Sequence, residues 1–153
     1  MQLAGAPSPE AAALIAGALA ALGLQAGFVV HGSDGLDEVT TTGPTLAWEV
    51  RDGRVERRNL DPDDFGVARA SLADLRGGDR DENRAIAISI LEGATGPKRD
   101  IVLVNAAAAL VAAGRARDFR NAMTVAARSI DSGAALAKVQ ELSGFTAQCG
   151  RES

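Results

Sequence analysis

The order of apolar segments predicts an α/β fold: a partial, mainly parallel sheet flanked by helices, with one β-hairpin. Three observations carry this. A strand, helix, strand succession occupies residues 2–30, an Asp52-Gly53 turn separates two alternating runs, and helical stripes follow from residue 79 onward.

Gln2 to Ala4 reads as a short strand. Ser8 then has the character of an N-cap, Pro9 suits the first helical position, and Leu14, Ile15, Leu19 and Leu22 recur at helical spacing before Gly23 ends the helix. The next segment, Gly27-Phe28-Val29-Val30, is bulky and continuous, as a strand buried on both faces should be, and a helix between two strands favours a parallel pair.

Leu46–Arg51 and Arg54–Arg58 flank Asp52-Gly53 and read as a hairpin with a two-residue turn. Arg51, Arg54, Arg57 and Arg58 are interleaved with Glu49 and Glu56, which points to a solvated face rather than an anion site, and Trp48 reads as a packing residue. Asp79 opens a helix that runs through Glu92, with Ile86, Ile90 and Leu91 on its apolar side and Gly93 after it. Ile101–Val104 reads as a second buried strand, with Asn105 capping a helix over Ala106–Ala113. Phe119, Ala122, Met123, Ala126 and Ile130 form one further stripe, and Leu136, Val139 and Leu142 a last one; both are expected to face the core. The boundaries expected are a single domain over residues 1–145 and a flexible tail over 146–153, which holds the lone Cys149.

The most chemically loaded segment follows the Phe28–Val30 strand: His31-Gly32-Ser33-Asp34-Gly35-Leu36-Asp37-Glu38. A buried strand running directly into glycines and carboxylates places acid groups at the carboxyl end of a sheet, where open α/β folds bind ligands. Gly32 and Gly35 allow a tight turn there. The adjacent carboxylates of Asp37 and Glu38 suit magnesium, which takes hard oxygen ligands and is commonly held by one or two carboxylates plus substrate phosphates. Asp34 equally suits the ordinary loop role of capping its own turn, and His31 that of a satisfied strand-end residue.

That string, with Thr40-Thr41-Thr42-Gly43-Pro44-Thr45 after it, resembles the signature of the anthranilate phosphoribosyltransferase family. The resemblance continues through Asp63-Asp64-Phe65-Gly66, Gly77-Gly78-Asp79 with Glu82-Asn83, Ile90-Leu91-Glu92-Gly93, Val104-Asn105-Ala106-Ala107 and Ile130-Asp131-Ser132-Gly133-Ala134-Ala135, covering about Gln2 to Phe145 in the family's order. It implies the second part of a phosphoribosyltransferase catalytic domain. The implied reaction transfers phosphoribosyl from 5-phosphoribosyl diphosphate to the amine of anthranilate, in tryptophan biosynthesis. It further implies that Mg2+ is carried by Asp37 and Glu38, and that Gly32, Asp34, Gly35 and Asn105 lie beside substrate, with His31 a candidate catalytic residue.

The family's helical domain, its Gly-Thr-Gly-Gly-Asp loop for pyrophosphate and its Lys-His-Gly-Asn segment have no counterpart in these residues. The expectation is therefore a carboxyl-terminal half, with a separate chain as one source of the amino-terminal half. The alternatives are a non-catalytic magnesium- or phosphate-binding or scaffold domain, and half of a related nucleoside phosphorylase.

Composition narrows the partners. Lys and Arg total 16 against 20 Asp and Glu, a net charge of −4 with no basic face, which argues against nucleic acid. Ala11–Leu24 is uncharged, but is shorter than the ~20 residues a spanning helix needs and lacks a preceding basic region, so no membrane partner and a cytoplasmic location are expected. One cysteine allows neither an internal disulfide nor a cysteine-built metal site. Hydrophobic residues make up 46% of the chain but aromatic residues only 3%, and alanine dominates the apolar set, which suits close helix packing.

Overall fold

The computed structural model describes residues 1–149. Strand β1 (Gln2–Gly5) leads through helix α1 (Pro9–Ala21) into β2 (Ala26–Gly32). The two strands pair in parallel with Gly5 opposite Val30, as a helical crossover requires. Ser8 accepts the Ala11 N–H at 3.2 Å and Pro9 occupies the first turn, so the helix starts where its capping chemistry is written.

β3 (Thr45–Arg51) and β4 (Arg54–Leu60) complete a sheet of order β1-β2-β3-β4. β3 runs antiparallel to β2, and β4 antiparallel to β3 across the Asp52-Gly53 turn. The sheet is therefore mixed rather than mainly parallel. The reason lies in the connection: residues 33–44 contain no helix, and a strand that returns without a crossover can only pair antiparallel.

Short helices α2 (Pro62–Phe65) and α3 (Leu72–Leu75) precede α4 (Arg80–Leu91), α5 (Pro97–Ala112), α6 (Phe119–Asp131) and α7 (Ala134–Cys149). Asp79 caps α4 as expected, accepting the N–H groups of Asp81 and Glu82 at 3.0 and 2.9 Å. Ile101–Val104 is not a strand but part of α5, which begins with Pro97 at its first position and runs unbroken past Asn105. A four-residue apolar run serves either element. Here the Gly96-Pro97 start and the helical recurrence of buried Leu103, Val104, Ala107, Ala108 and Ala112 decide it. Asn105 consequently lies inside a helix and caps nothing.

One core layer joins Phe28, Val30, Val39, Ala47 and Leu60 from the sheet side to Val104, Ala107, Ala108 and Ala122 of α5 and α6. The opposite sheet face packs Val29, Trp48 and Val50 against Ala12 and Ala16 of α1. Trp48 is thus a packing residue, as read. Of the α1 stripe, Ile15 and Leu19 are partly buried against this layer, whereas Leu14 and Leu22 are 76% and 84% exposed and Ala12 and Ala16 face the sheet at 0%. Small side chains let the helix sit close to the strands, and Leu14 and Leu22 are left outside that contact. α7 contributes no buried residue, so Val139 and Leu142 do not form the expected core face. It runs through part of the segment expected as a tail, and residues 150–153 of that segment lie outside the described residues.

Candidate functional site

The segment between β2 and β3 crosses the carboxyl ends of the parallel β1–β2 pair, and its path is set by close backbone packing. At Gly5, the last residue of β1, a Cβ would stand 1.7 Å from the Asp37 carbonyl oxygen, so only glycine admits the loop at this distance. At Gly32, the last residue of β2, a Cβ would meet Asp34 Oδ1 at 2.5 Å. The Gly32 N–H donates to the Leu36 carbonyl at 2.8 Å and the Ser33 N–H to the Pro44 carbonyl at 2.9 Å, which closes the loop on itself. Gly35 sits at φ +89°, in the region that favours glycine.

Asp34 organises the interior of this loop. Its Oδ2 accepts from the hydroxyls of Thr40 at 2.5 Å and Thr42 at 2.7 Å, and its Oδ1 from the Leu36 N–H at 3.1 Å. Burial alone would raise the Asp34 carboxyl, but the Thr40 and Thr42 hydroxyls and the loop amides outweigh it and hold the group below the ordinary aspartate value. These bonds make Asp34 a staple of the loop.

Asp37 and Glu38 are both exposed, and they are followed directly by Val39, which is 1% exposed and belongs to the core. Val39 is held at both backbone groups by Asn105. Asn105 Oδ1 accepts the Val39 N–H at 2.9 Å, and its Nδ2 donates to the Val39 carbonyl at 2.9 Å and to the Ile101 carbonyl at 3.0 Å. Thr40 N–H donates to Thr45 Oγ1 at 3.0 Å. The two carboxylates thus project from a backbone anchored against Gly5 on one side and against α5 and β3 on the other.

The Glu38 carboxyl is pushed above the ordinary glutamate value by partial desolvation and then by the Asp37 carboxylate beside it. Two like charges held together in this way are relieved by a shared cation. Among the described residues no group of three or more His, Cys, Asp or Glu side chains is gathered to hold a metal. A pair of carboxylates fits magnesium when phosphate oxygens and water complete its shell.

His31 stands apart from this pair. Its Nδ1 donates to the Ala6 carbonyl at 2.9 Å, and it opens on a separate cavity of about 420 Å³ lined with Pro9, Ser33, Pro44, Leu46, Arg57 and Asn59. Asp34, Asp37 and Glu38 do not line that cavity. Strand alternation explains the separation: Phe28 and Val30 face the α5 layer, while Val29 and His31 point the other way.

Two of the four hairpin arginines pair with Glu49, which accepts from Arg51 at 3.0 Å and from Arg58 at 2.5 Å on the exposed face. Sequence reasoning missed the Asn105 clamp and the Thr40 and Thr42 bonds to Asp34. An asparagine within the apolar run Val102–Ala109 is the signal for the first, since a polar side chain there needs a tertiary partner.

Residues 1–136 match the α/β domain of a glycosyl transferase family. The chain is 66% identical over 146 residues to an anthranilate phosphoribosyltransferase of Solibacter usitatus, covering 95% of this chain and 43% of that one. It is 49% identical over 151 residues to that of Pelotomaculum thermopropionicum, covering 97% and 44%. Its fold superposes on the crystal structure of anthranilate phosphoribosyltransferase from Thermus thermophilus with a TM-score of 0.82 at 36% identity, over 92% of this chain and 41% of that one. It superposes on the Saccharomyces cerevisiae enzyme in complex with PRPP and Mg with a TM-score of 0.79 at 27% identity, over 90% and 40%. The chain spans less than half the length of the curated relatives it matches.

Proposed function

The chain belongs to the glycosyl transferase family through its α/β domain, and from that premise we propose that it supplies the acidic-loop part of an anthranilate phosphoribosyltransferase site. The reaction would move the phosphoribosyl group of 5-phosphoribosyl diphosphate to the amine of anthranilate, with diphosphate as leaving group, as a step of tryptophan biosynthesis. The observation that carries this reading is the Asp37–Glu38 pair, exposed and rigidly backed at the carboxyl ends of β1 and β2. The 66% identity to an enzyme of that name and the fold shared with an enzyme in complex with PRPP and Mg support it.

The chemistry asks little covalent work of the protein. As the bond to diphosphate breaks, positive charge develops on the ribose and negative charge on the leaving group, so electrostatic stabilisation carries the catalysis and no protein nucleophile is needed. A bound magnesium ion would neutralise the departing diphosphate. Asp37 and Glu38 would hold that ion with their carboxylates, and Gly35, with open space beside its backbone, would leave room for substrate, while Gly32, packed against Asp34 and Thr40, would serve the shape of the loop. Asp34 and Asn105 would serve the site through the shape of the loop, by the bonds each makes within it. His31, bonded through Nδ1 to Ala6, would stand on the other sheet face, apart from Asp37 and Glu38.

The rest of such a site, including the grip on pyrophosphate, would come from outside these residues, in the same chain or in a separate one. The test is the loss of anthranilate fluorescence with 5-phosphoribosyl diphosphate and Mg2+, using this chain alone and together with the amino-terminal portion of a relative. Turnover only with the added portion, abolished by Asp37→Ala, is the expected result. Magnesium-dependent ligand binding with no turnover in either arrangement would favour a non-catalytic binding domain instead.

A further inference from the structure

Asn105 is a polar residue on the inner side of α5, between the buried Val104 and Ala107, and it spends its side chain on another segment's backbone. Its third bond, from Nδ2 to the Ile101 carbonyl one turn earlier in the helix, fixes the amide in the orientation that serves Val39. Val39 belongs to no strand, so these two bonds satisfy backbone groups that the loop itself leaves open. We propose that Asn105 is a positioning residue for the acidic loop: by clamping Val39 at both backbone groups, it fixes the direction in which Asp37 and Glu38 present their carboxylates to a divalent cation. This rests on the reading of that pair as cation ligands. Asn105 acts only through Val39.

The geometry leaves few other ways to hold the pair. The Asp37 carbonyl abuts Gly5, the Val39 side chain is buried, and Thr40 is tied to Thr45; the Glu38 backbone lies between these points, and among the described residues the Asn105 bonds are the hydrogen bonds on its carboxyl side before Thr40. A carboxylate that must be ordered on binding loses affinity to the cost of ordering it, and a pre-set backbone removes that cost.

The experiment compares the whole chain as wild type, Asn105→Ala, the nearly isosteric Asn105→Asp and Asp37→Ala. Amide exchange at Val39 needs no metal, and Mn2+ serves as the cation probe through its broadening of the Asp37 and Glu38 resonances. Asn105→Ala is expected to speed Val39 exchange by about tenfold or more and to weaken Mn2+ binding by about tenfold, with the amides of α4 and α6 as protected as before. Asn105→Asp keeps the acceptor for the Val39 N–H but loses the donor, and is expected to show both effects in a fold that is intact. If Asp37→Ala abolishes Mn2+ broadening while both Asn105 variants keep wild-type affinity, the positioning role is overturned and the metal reading stands. If Asp37→Ala binds Mn2+ as wild type does, the metal reading itself is overturned, and the positioning proposal falls with it.

Discussion

Gly5 and Asp37 meet so closely that a single added methyl group on Gly5 would fall 1.7 Å from the Asp37 carbonyl oxygen. The end of the first strand is thus the floor on which the acidic loop rests. Gly5→Ala is expected to push the loop away from the β1–β2 ends, at a cost of about 1–3 kcal/mol from overpacking. Thermal unfolding would register the loss. A displaced set of Asp37 and Glu38 resonances, with the α6 and α7 resonances unchanged, would locate it.

Asp34 has its carboxyl held below the ordinary value because the Thr40 and Thr42 hydroxyls and loop amides outweigh its burial. A depressed folded value means that the stabilisation is present above the unfolded aspartate value, ~3.9, and is lost as pH falls through the lower folded one. Asp34→Asn is therefore expected to destabilise the chain by about 1–3 kcal/mol at neutral pH, through weakened charge-assisted bonds. Melting curves of the two proteins should converge in strong acid.

Glu38 behaves in the opposite sense, raised by desolvation and by Asp37. Its folded form is comparatively favoured below the unfolded glutamate value, ~4.3, and that advantage is lost as pH rises through the higher folded value. Glu38→Gln should consequently melt higher than wild type at neutral pH without metal, and at the same temperature below about pH 4. Saturating Mg2+ should narrow the neutral-pH difference by stabilising wild type alone.

Arg99 is 8% exposed and pairs through Nη2 with Asp131 at 2.6 Å, whereas its Nη1 has no hydrogen-bond partner among the described residues. Removing the carboxylate takes away the hydrogen-bonded partner of a buried guanidinium and leaves it only the coulombic influence of the neighbouring Asp100. Asp131→Ala is expected to cost about 2–4 kcal/mol, less than a fully buried pair because Asp131 itself is half in solvent. Chemical denaturation would measure it, and Arg80→Ala, at a fully solvated site, should change stability by less than about 0.5 kcal/mol.

The elements legible in the sequence were those whose chemistry is local. Ser8-Pro9 announces α1, Asp79 announces α4, Asp52-Gly53 announces the hairpin, and Gly27–Val30, aromatic and β-branched behind a glycine, favours a buried strand. The Ile101–Val104 run passes for a strand because its composition suits either element, and the deciding Pro97 lies four residues ahead of it. The direction of β3 depends on a connection without a helix, which its own residues do not record. The acidic pair was visible as a motif, but what holds it was not: Asn105 reaches Val39 across 66 positions, and no local pattern specifies a partner so distant.

Asp37 and Glu38 are proposed to hold a divalent cation on which the binding of substrate phosphate would depend. Calorimetric titration of 5-phosphoribosyl diphosphate into the chain together with the amino-terminal portion of a relative, with and without Mg2+ and with Asp37→Ala alongside, tests it most directly. The account predicts binding that requires Mg2+ and vanishes in the variant. Binding of equal strength without Mg2+, or unaltered by Asp37→Ala, would contradict it.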